Sequence, residues 1–143
     1  MKKTILIIFL AIGITAQSQI LLSSDLTITA TYVSIQERDT TASKANVYII
    51  TDEDKRDVKF EVQSSKKQIV MTINGVNSYV IYSIVPLEIT DKFEIYTALM
   101  HDGDHVEILL TENMIVLDNM SIPDVVIVFE GIRYDYEYNR YDD

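Results

Sequence analysis

The stretch KFEIYTALMHDGDHVEILLT, Lys92–Thr111, decides the fold because it reads as two strands joined by a tight turn. Asp-Gly pairs favour two-residue hairpin turns, since both positions tolerate a positive φ. A turn at Asp102-Gly103 gives the cross-strand pairs Leu99 with Val106, Thr97 with Ile108, and Ile95 with Leu110. These residues then share one face of the hairpin. The opposite face carries Glu94, Tyr96, His105 and Glu107.

The same alternation of apolar and polar residues continues along most of the chain and predicts further strands. The candidate strands are Leu26–Ile35, Ala45–Thr51, Arg56–Gln63, Lys67–Ile73, Ser78–Ile84, Lys92–Met100, Asp104–Thr111, Asn113–Asp118 and Asp124–Glu130. Turns are expected at Glu53-Asp54 and near Ser64-Ser65. This order of hairpins predicts an all-β protein, an antiparallel up-and-down meander that closes into a small, calycin-like barrel. A β-sandwich is the alternative.

The first 18 residues, MKKTILIIFLAIGITAQS, have the layout of a secretory signal peptide. Lys2 and Lys3 precede an apolar run, and Ala16-Gln17-Ser18 offers cleavage after Ser18 or alternatively after Ala16. The run is too short for a transmembrane helix, which needs about 20 apolar residues. We therefore expect residues 1–18 to be removed. Residues 19–143 would form one all-β domain, periplasmic or secreted, that ends in a segment rich in tyrosine and acid, 132–143.

Composition narrows the classes of partner. Without cysteine the chain can form no disulfide and cannot carry the lipid of a lipoprotein. Removing Lys2 and Lys3 from the 12 basic residues leaves 10 against 22 acidic ones, a net charge of -12. This acidic balance repels nucleic acid and anionic membrane surfaces. We expect no nucleic-acid partner, no cofactor and no membrane span after cleavage.

Two clusters contain residue types that commonly bind metal ions. His101, Asp104 and His105 could supply two imidazoles and a carboxylate. Asp52-Glu53-Asp54 with Asp57 could collect calcium. The first has no third histidine and the second lacks the glycine and terminal glutamate of a calcium loop. Both are therefore interpreted as solvated turns, and no metal site is predicted.

Catalytic signatures are missing as well. The chain contains no Gly-rich phosphate loop, no G-x-S-x-G elbow and no H-E-x-x-H pair. A hydrolase that uses Glu94, His105 and Glu107 is a third hypothesis, but no nucleophile joins these residues. We predict a non-enzymatic protein and assign no catalytic residue.

The first of two leading hypotheses is a ligand-binding module. A closed meander of about eight to ten strands can hold one small ligand in its interior. The apolar residues predicted to line it are Val47, Phe60, Met71, Ile95 and Ile108. This architecture is similar to that of lipocalin and fatty-acid-binding barrels, although a chain without tryptophan cannot carry the Gly-x-Trp signature of lipocalins.

The second hypothesis is a protein-interaction or structural envelope domain, which could be a homodimer. Strand Ser78–Ile84 is apolar on both faces, so a covering partner is expected there. Tyrosines alternate with polar residues in the C-terminal segment and would line one face of an extended chain. The predicted partner-binding residues are Tyr79, Tyr82, Tyr134, Tyr136 and Tyr138. A terminal strand lying beside Tyr79 or Tyr82 and a disordered tail are the alternatives for this segment.

Overall fold

The computed structural model describes residues 20–39, 41 and 47–136 of the 143. In these ranges one helical turn, α1 (Ile20–Ser23), precedes a series of strands, and a 3-10 turn (Ser64–Lys66) follows the second strand. The strands are β1 (Leu26–Arg38), β2 (Tyr48–Gln63), β3 (Gln68–Ile73), β4 (Asn77–Ile89), β5 (Phe93–Met100), β6 (His105–Thr111), β7 (Met114–Asn119), β8 (Val125–Glu130) and β9 (Arg133–Tyr136). No helix among the described residues is long and apolar enough to cross a membrane. The predicted signal peptide and Tyr138 lie outside the described residues.

The strands form a closed antiparallel barrel. From β2 through β7, each strand pairs with the strand that follows it in the chain. β8 then pairs with β1, and β1 pairs with β2, which closes the barrel. This gives an eight-stranded barrel with β9 as an extra strand beside the first residues of β1. The predicted closed meander is confirmed, and the sandwich alternative is not formed. The terminal-strand interpretation of the tail holds for Arg133–Tyr136, but its neighbour is β1 rather than Tyr79 or Tyr82 on β4.

The predicted turn at Glu53-Asp54 is wrong. β2 runs unbroken through these residues because β1 pairs with it over its whole length, from Leu26 opposite Val62 to Arg38 opposite Tyr48. Two register shifts, between Ala30 and Tyr32 and between Ile35 and Gln36, accommodate extra residues of β2. The separate strands expected at Ala45–Thr51 and Arg56–Gln63 are therefore parts of one long strand.

The predicted register of the β5–β6 hairpin is wrong by one residue. Met100 and Asp104 close a three-residue loop, in which the Gly103 N–H donates to the Met100 carbonyl at 2.8 Å and Gly103 has φ +91°. A three-residue loop with glycine in the left-handed position is a common alternative to the two-residue turn. As a result Tyr96 pairs with Ile108 and Ile95 pairs with Leu109. Glu94 and Tyr96 point into the barrel, whereas Ile95 points outward.

The β2–β3 hairpin follows the prediction. The chain turns at Ser64–Lys66, and Phe60 lies opposite Met71 as Val62 lies opposite Ile69. These four side chains are buried on the inner face. Together with inward residues from the other strands they fill one half of the barrel, where a void of only about 10 Å³ is left.

The two ends of the barrel differ. At the base end, α1 inserts Leu21 into the core, where 1% of its surface is exposed. The buried Tyr96 hydroxyl donates to Glu94 at 2.6 Å and accepts the Leu21 N–H at 3.4 Å. Burial and this bond to a carboxylate raise the pKa of Tyr96 well above its ordinary value. At the opposite end, the mouth, lie the connections β3–β4, β5–β6 and β7–β8.

Residues near Thr31 and Gly131 change which side of the sheet faces inward. Toward the base, Ile28 and Ala30 of β1 are buried in the core. Toward the mouth, Val33 faces the interior beside Phe129. Gly131, at φ +66°, lies against the Thr31 side chain between β8 and β9 and permits this change.

Candidate functional site

The inward side of β2 changes from apolar to charged along its length. Val58, Phe60 and Val62 are buried in the core half of the barrel. Toward the mouth the inward residues are Asp54, opposite Val33, and Asp52, opposite Ile35. Carboxylates are not buried without partners, so the apolar core cannot continue past this point.

An open cleft of about 310 Å³ occupies the mouth half of the barrel, and we call it the mouth cleft. It is lined by Val33, Ile35, Asp52, Glu53, Asp54, Arg56, Met71, Ile73, Tyr79, Met100, Ile127 and Phe129. Its floor is formed by Phe129 and Met71, which are buried. The Phe129 ring meets Phe60 edge to face, with centroids 5.0 Å apart, so the floor rests on packed core. The cleft is a concave apolar site with one polar wall.

The polar wall combines both signs of charge. The Arg56 Nε lies 3.3 Å from an Asp54 carboxylate oxygen, and both side chains are about half exposed. Asp52 adds a second carboxylate to the same lining. This wall can therefore orient the polar end of a ligand whose remainder contacts the apolar residues.

The predicted calcium cluster is divided between the two faces of β2. Asp52 and Asp54 follow the inward side, while Glu53, which also borders the mouth cleft, pairs with Ser34 on the outer side. There Glu53 accepts a hydrogen bond from Tyr32, which raises the pKa of Tyr32 to about 12. Neighbouring carboxylates add to this rise because they oppose the negative phenolate. No group of three potential ligands able to hold a metal occurs in the described ranges.

The two histidines of the β5–β6 hairpin lie in different places. His101 is exposed in the loop, and its ring is 5.8 Å from that of Tyr79 at the mouth. His105 is exposed opposite Leu99 on the outer face. The residues of the hydrolase hypothesis do not converge either, because Glu94 is buried inside whereas His105 and Glu107 lie on the outer face.

The predicted ligand-binding residues are distributed over three places. Met71 lines the mouth cleft, whereas Phe60 and Ile108 lie in the filled half of the barrel. Val47 precedes β2 and is 37% exposed, because the expected turn at Glu53-Asp54 does not form. Ile95 lies on the outer face because of the shifted hairpin register.

Four of the five predicted partner-binding tyrosines lie in the described ranges, two on β4 and two on β9. Tyr79 lines the mouth cleft and Tyr82 is half-buried on β4. Tyr134 packs against the core, and its hydroxyl donates to the Thr111 carbonyl at 2.9 Å. Tyr136 pairs with Leu26 through the backbone of β9.

Several cleft residues were missed by sequence reasoning. Val33, Ile35, Met100, Ile127 and Phe129 belong to the lining. Each lies in a predicted strand, so its place in the sheet could be predicted. Its direction could not: alternation along β1 reverses near Thr31 for Val33 and Ile35, and the shifted β5–β6 register turns Met100 inward.

Comparison of the chain with protein-family models, with curated proteins and with solved structures found no match. Function is therefore inferred from the geometry of the barrel.

Proposed function

We propose that this is an exported, non-enzymatic binding protein that holds a small apolar ligand in the mouth cleft. One observation carries the proposal: the barrel core stops at Phe129 and Met71 and leaves a cleft of about 310 Å³ with apolar walls. Small-molecule sites are concave, mostly apolar and about 300–1,000 Å³ in volume. The cleft fits the lower end of that range.

The polar wall restricts the ligand further. Asp52, Glu53 and Asp54 outnumber Arg56 in the lining, so the wall carries a net negative charge. An anionic head group placed there would meet three carboxylates and one guanidinium. A neutral ligand, or one with a hydrogen-bond donor at its polar end, is favoured over a fatty acid.

Titration with N-phenyl-1-naphthylamine, a neutral apolar fluorophore, tests this proposal. Ile73→Trp places a larger ring in the half-buried lining of the cleft and should weaken binding at least about tenfold, or about 1.4 kcal/mol. Val85→Trp is the matched control, since Val85 is exposed on β4 away from the cleft lining. Equal affinity of wild type and Ile73→Trp, or no binding to the wild type, contradicts a ligand in this cleft.

A specific observation favours the alternative, a protein-interaction or structural envelope domain. Large apolar side chains are exposed around the mouth, including Val76 at 79%, Ile49 at 52%, Ile122 at 51% and Met120 at 47%. Exposed apolar groups gathered at one end of a molecule are typical of contact surfaces. Native mass spectrometry of wild type and of Val76→Ser with Ile122→Ser separates the two functions. A dimer lost in the double variant supports the alternative, whereas a monomer carrying a bound small molecule supports the binding protein.

A further inference from the structure

The outer face of the barrel carries an apolar row that is half-buried over three strands and buried at its Val128 end. Ile95 pairs with Leu109, Leu109 with Val116, and Val116 with Val128, so these side chains lie side by side across four strands. We call these four residues the outer strip. Strands are about 4.8 Å apart, so the strip extends for about 14 Å across its four strands. Ser34 of β1 lies beyond Val128 but is buried, with 1% of its surface exposed, and does not line the cleft.

The outer strip lies in a cleft of its own, with a volume of about 500 Å³. Its other lining residues are Gln36, Tyr48, Glu107, Met114, Asp118, Val126 and Glu130. At the Ser34 end, the Gln36 amide donates to the Ser34 hydroxyl at 3.1 Å. The mouth cleft has an entirely different lining, so the two clefts are separate sites.

Carboxylates flank the outer strip on both sides. On the mouth side, Glu107 and Asp118 are directly opposite each other on β6 and β7. On the base side lies Glu130, opposite Met114. Like charges directly opposite across strands are destabilising, and burial raises the pKa of Asp118. Among the described residues, no lysine, arginine or histidine lines this cleft.

We propose that the outer strip is a second binding site, specific for a cationic amphiphile, namely a long-chain aliphatic ammonium ion. Its alkyl chain would start beside Leu109 and Val116, in the middle of the strip, and run toward one end of it, replacing water on an apolar surface. Its ammonium group would lie between Glu107 and Asp118 and donate charge-assisted hydrogen bonds to both carboxylates.

Size and charge together select this class of ligand. The cleft volume is within the range of small-molecule sites, and its apolar lining can contact an alkyl chain. An anionic amphiphile of the same length would bring a negative charge to three carboxylates. A neutral alcohol would keep the apolar contact but lose the charge-assisted bonds.

Titration with dodecylammonium chloride below its micellar concentration, followed by amide NMR, tests the site. We expect shift changes at Leu109 and Val116, and at least about tenfold weaker binding of dodecanol. Glu107→Gln with Asp118→Asn should weaken dodecylammonium binding at least about tenfold. The matched control is Glu61→Gln with Glu112→Gln, which changes net charge equally at exposed positions outside the cleft lining.

The other outcomes overturn the proposal. An equal loss of affinity in the control would show attraction to net charge alone. Shift changes at Val33 and Phe129 would place the ligand in the mouth cleft, and Ile73→Trp would then abolish them. A dimer that protects the amides of Leu109 and Val116 would assign the strip to a second copy of the chain. Undetectable binding of dodecylammonium would exclude the site.

Discussion

At the scale of single residues, Gly131 allows the barrel to change its inward face. It has φ +66°, and a Cβ added there would overlap the Oγ1 of Thr31. Gly131→Ala should therefore lower the free energy of unfolding by about 1–2 kcal/mol for the backbone conformation, and by about 1–3 kcal/mol more for crowding. Urea unfolding measures the change.

Gly103→Ala is the control for this prediction. Gly103 also has a positive φ, +91°, but a Cβ there meets nothing within 4 Å. It should show only the backbone part of the loss. Adding Thr31→Ala to Gly131→Ala should recover the part of the stability that is lost through crowding. A double variant no more stable than Gly131→Ala would contradict the proposed crowding.

Tyr32 gives the molecule a dependence on alkaline pH. Its pKa is raised to about 12, first by the hydrogen bond to Glu53 and further by nearby carboxylates. A raised pKa means that the neutral phenol stabilises the fold, so this contribution is complete below about pH 10 and is lost as the pH rises through 12. NMR of ring-labelled tyrosine should show the late titration. In Glu53→Gln the Tyr32 midpoint should move down toward 10, and an unchanged midpoint would exclude the bond.

At the scale of elements, the first part of β2 shows how a sheet edge is protected. β3 pairs with β2 only from Val58 onward, so residues 48–57 have β1 on one side and no other strand among those described. This stretch carries the charged run Asp52–Asp57. Charged side chains on a free edge disfavour pairing with another molecule.

Neutralising the edge should therefore promote association. Glu53→Thr with Lys55→Thr removes one charge of each sign and should give concentration-dependent oligomers in sedimentation velocity. Lys59→Thr with Glu61→Thr is the matched control, because these positions of β2 are paired on both sides. Oligomers in the control, or none in the edge variant, would show that the edge charges have no such role.

The β5–β6 hairpin shows why strands can be predicted more surely than their registers. Alternation located both strands to within one residue. Both faces, however, contain large apolar groups: Tyr96 inside, and Ile95, Leu99 and Leu109 outside. The pattern therefore allowed two registers, and the choice depended on whether the loop holds Asp102-Gly103 or also His101.

At the scale of the whole molecule, the closure of the barrel could be predicted from the sequence, but the mouth cleft could not. Barrel closure follows from successive short hairpins, because each strand needs a neighbour on both sides. The mouth cleft instead depends on two long-range features: the pairing of β1 with all of β2 and the change of facing near Gly131. The carboxylates of Asp52 and Asp54, interpreted in the sequence as a solvated turn, form a wall of the cleft for this reason.

Export can be tested on the whole chain. Sequencing of the secreted or periplasmic protein should give Gln19 as the first residue, or Gln17 if cleavage follows Ala16. Both cuts keep Leu21, which is 1% exposed and closes the base of the barrel. Intact Met1 in the purified protein would contradict the signal peptide.

The pairing of Leu26 with Tyr136 places the start of β1 next to the end of β9 at the base of the barrel. A force that pulled these two points apart would act across the β1–β9 ladder and separate its hydrogen bonds one at a time, from Tyr136 toward Arg133. Peeling in this direction requires much less force than sliding two strands past each other. Stretched between its ends, the barrel would yield first at β9, while the mouth cleft and its charged wall were still intact.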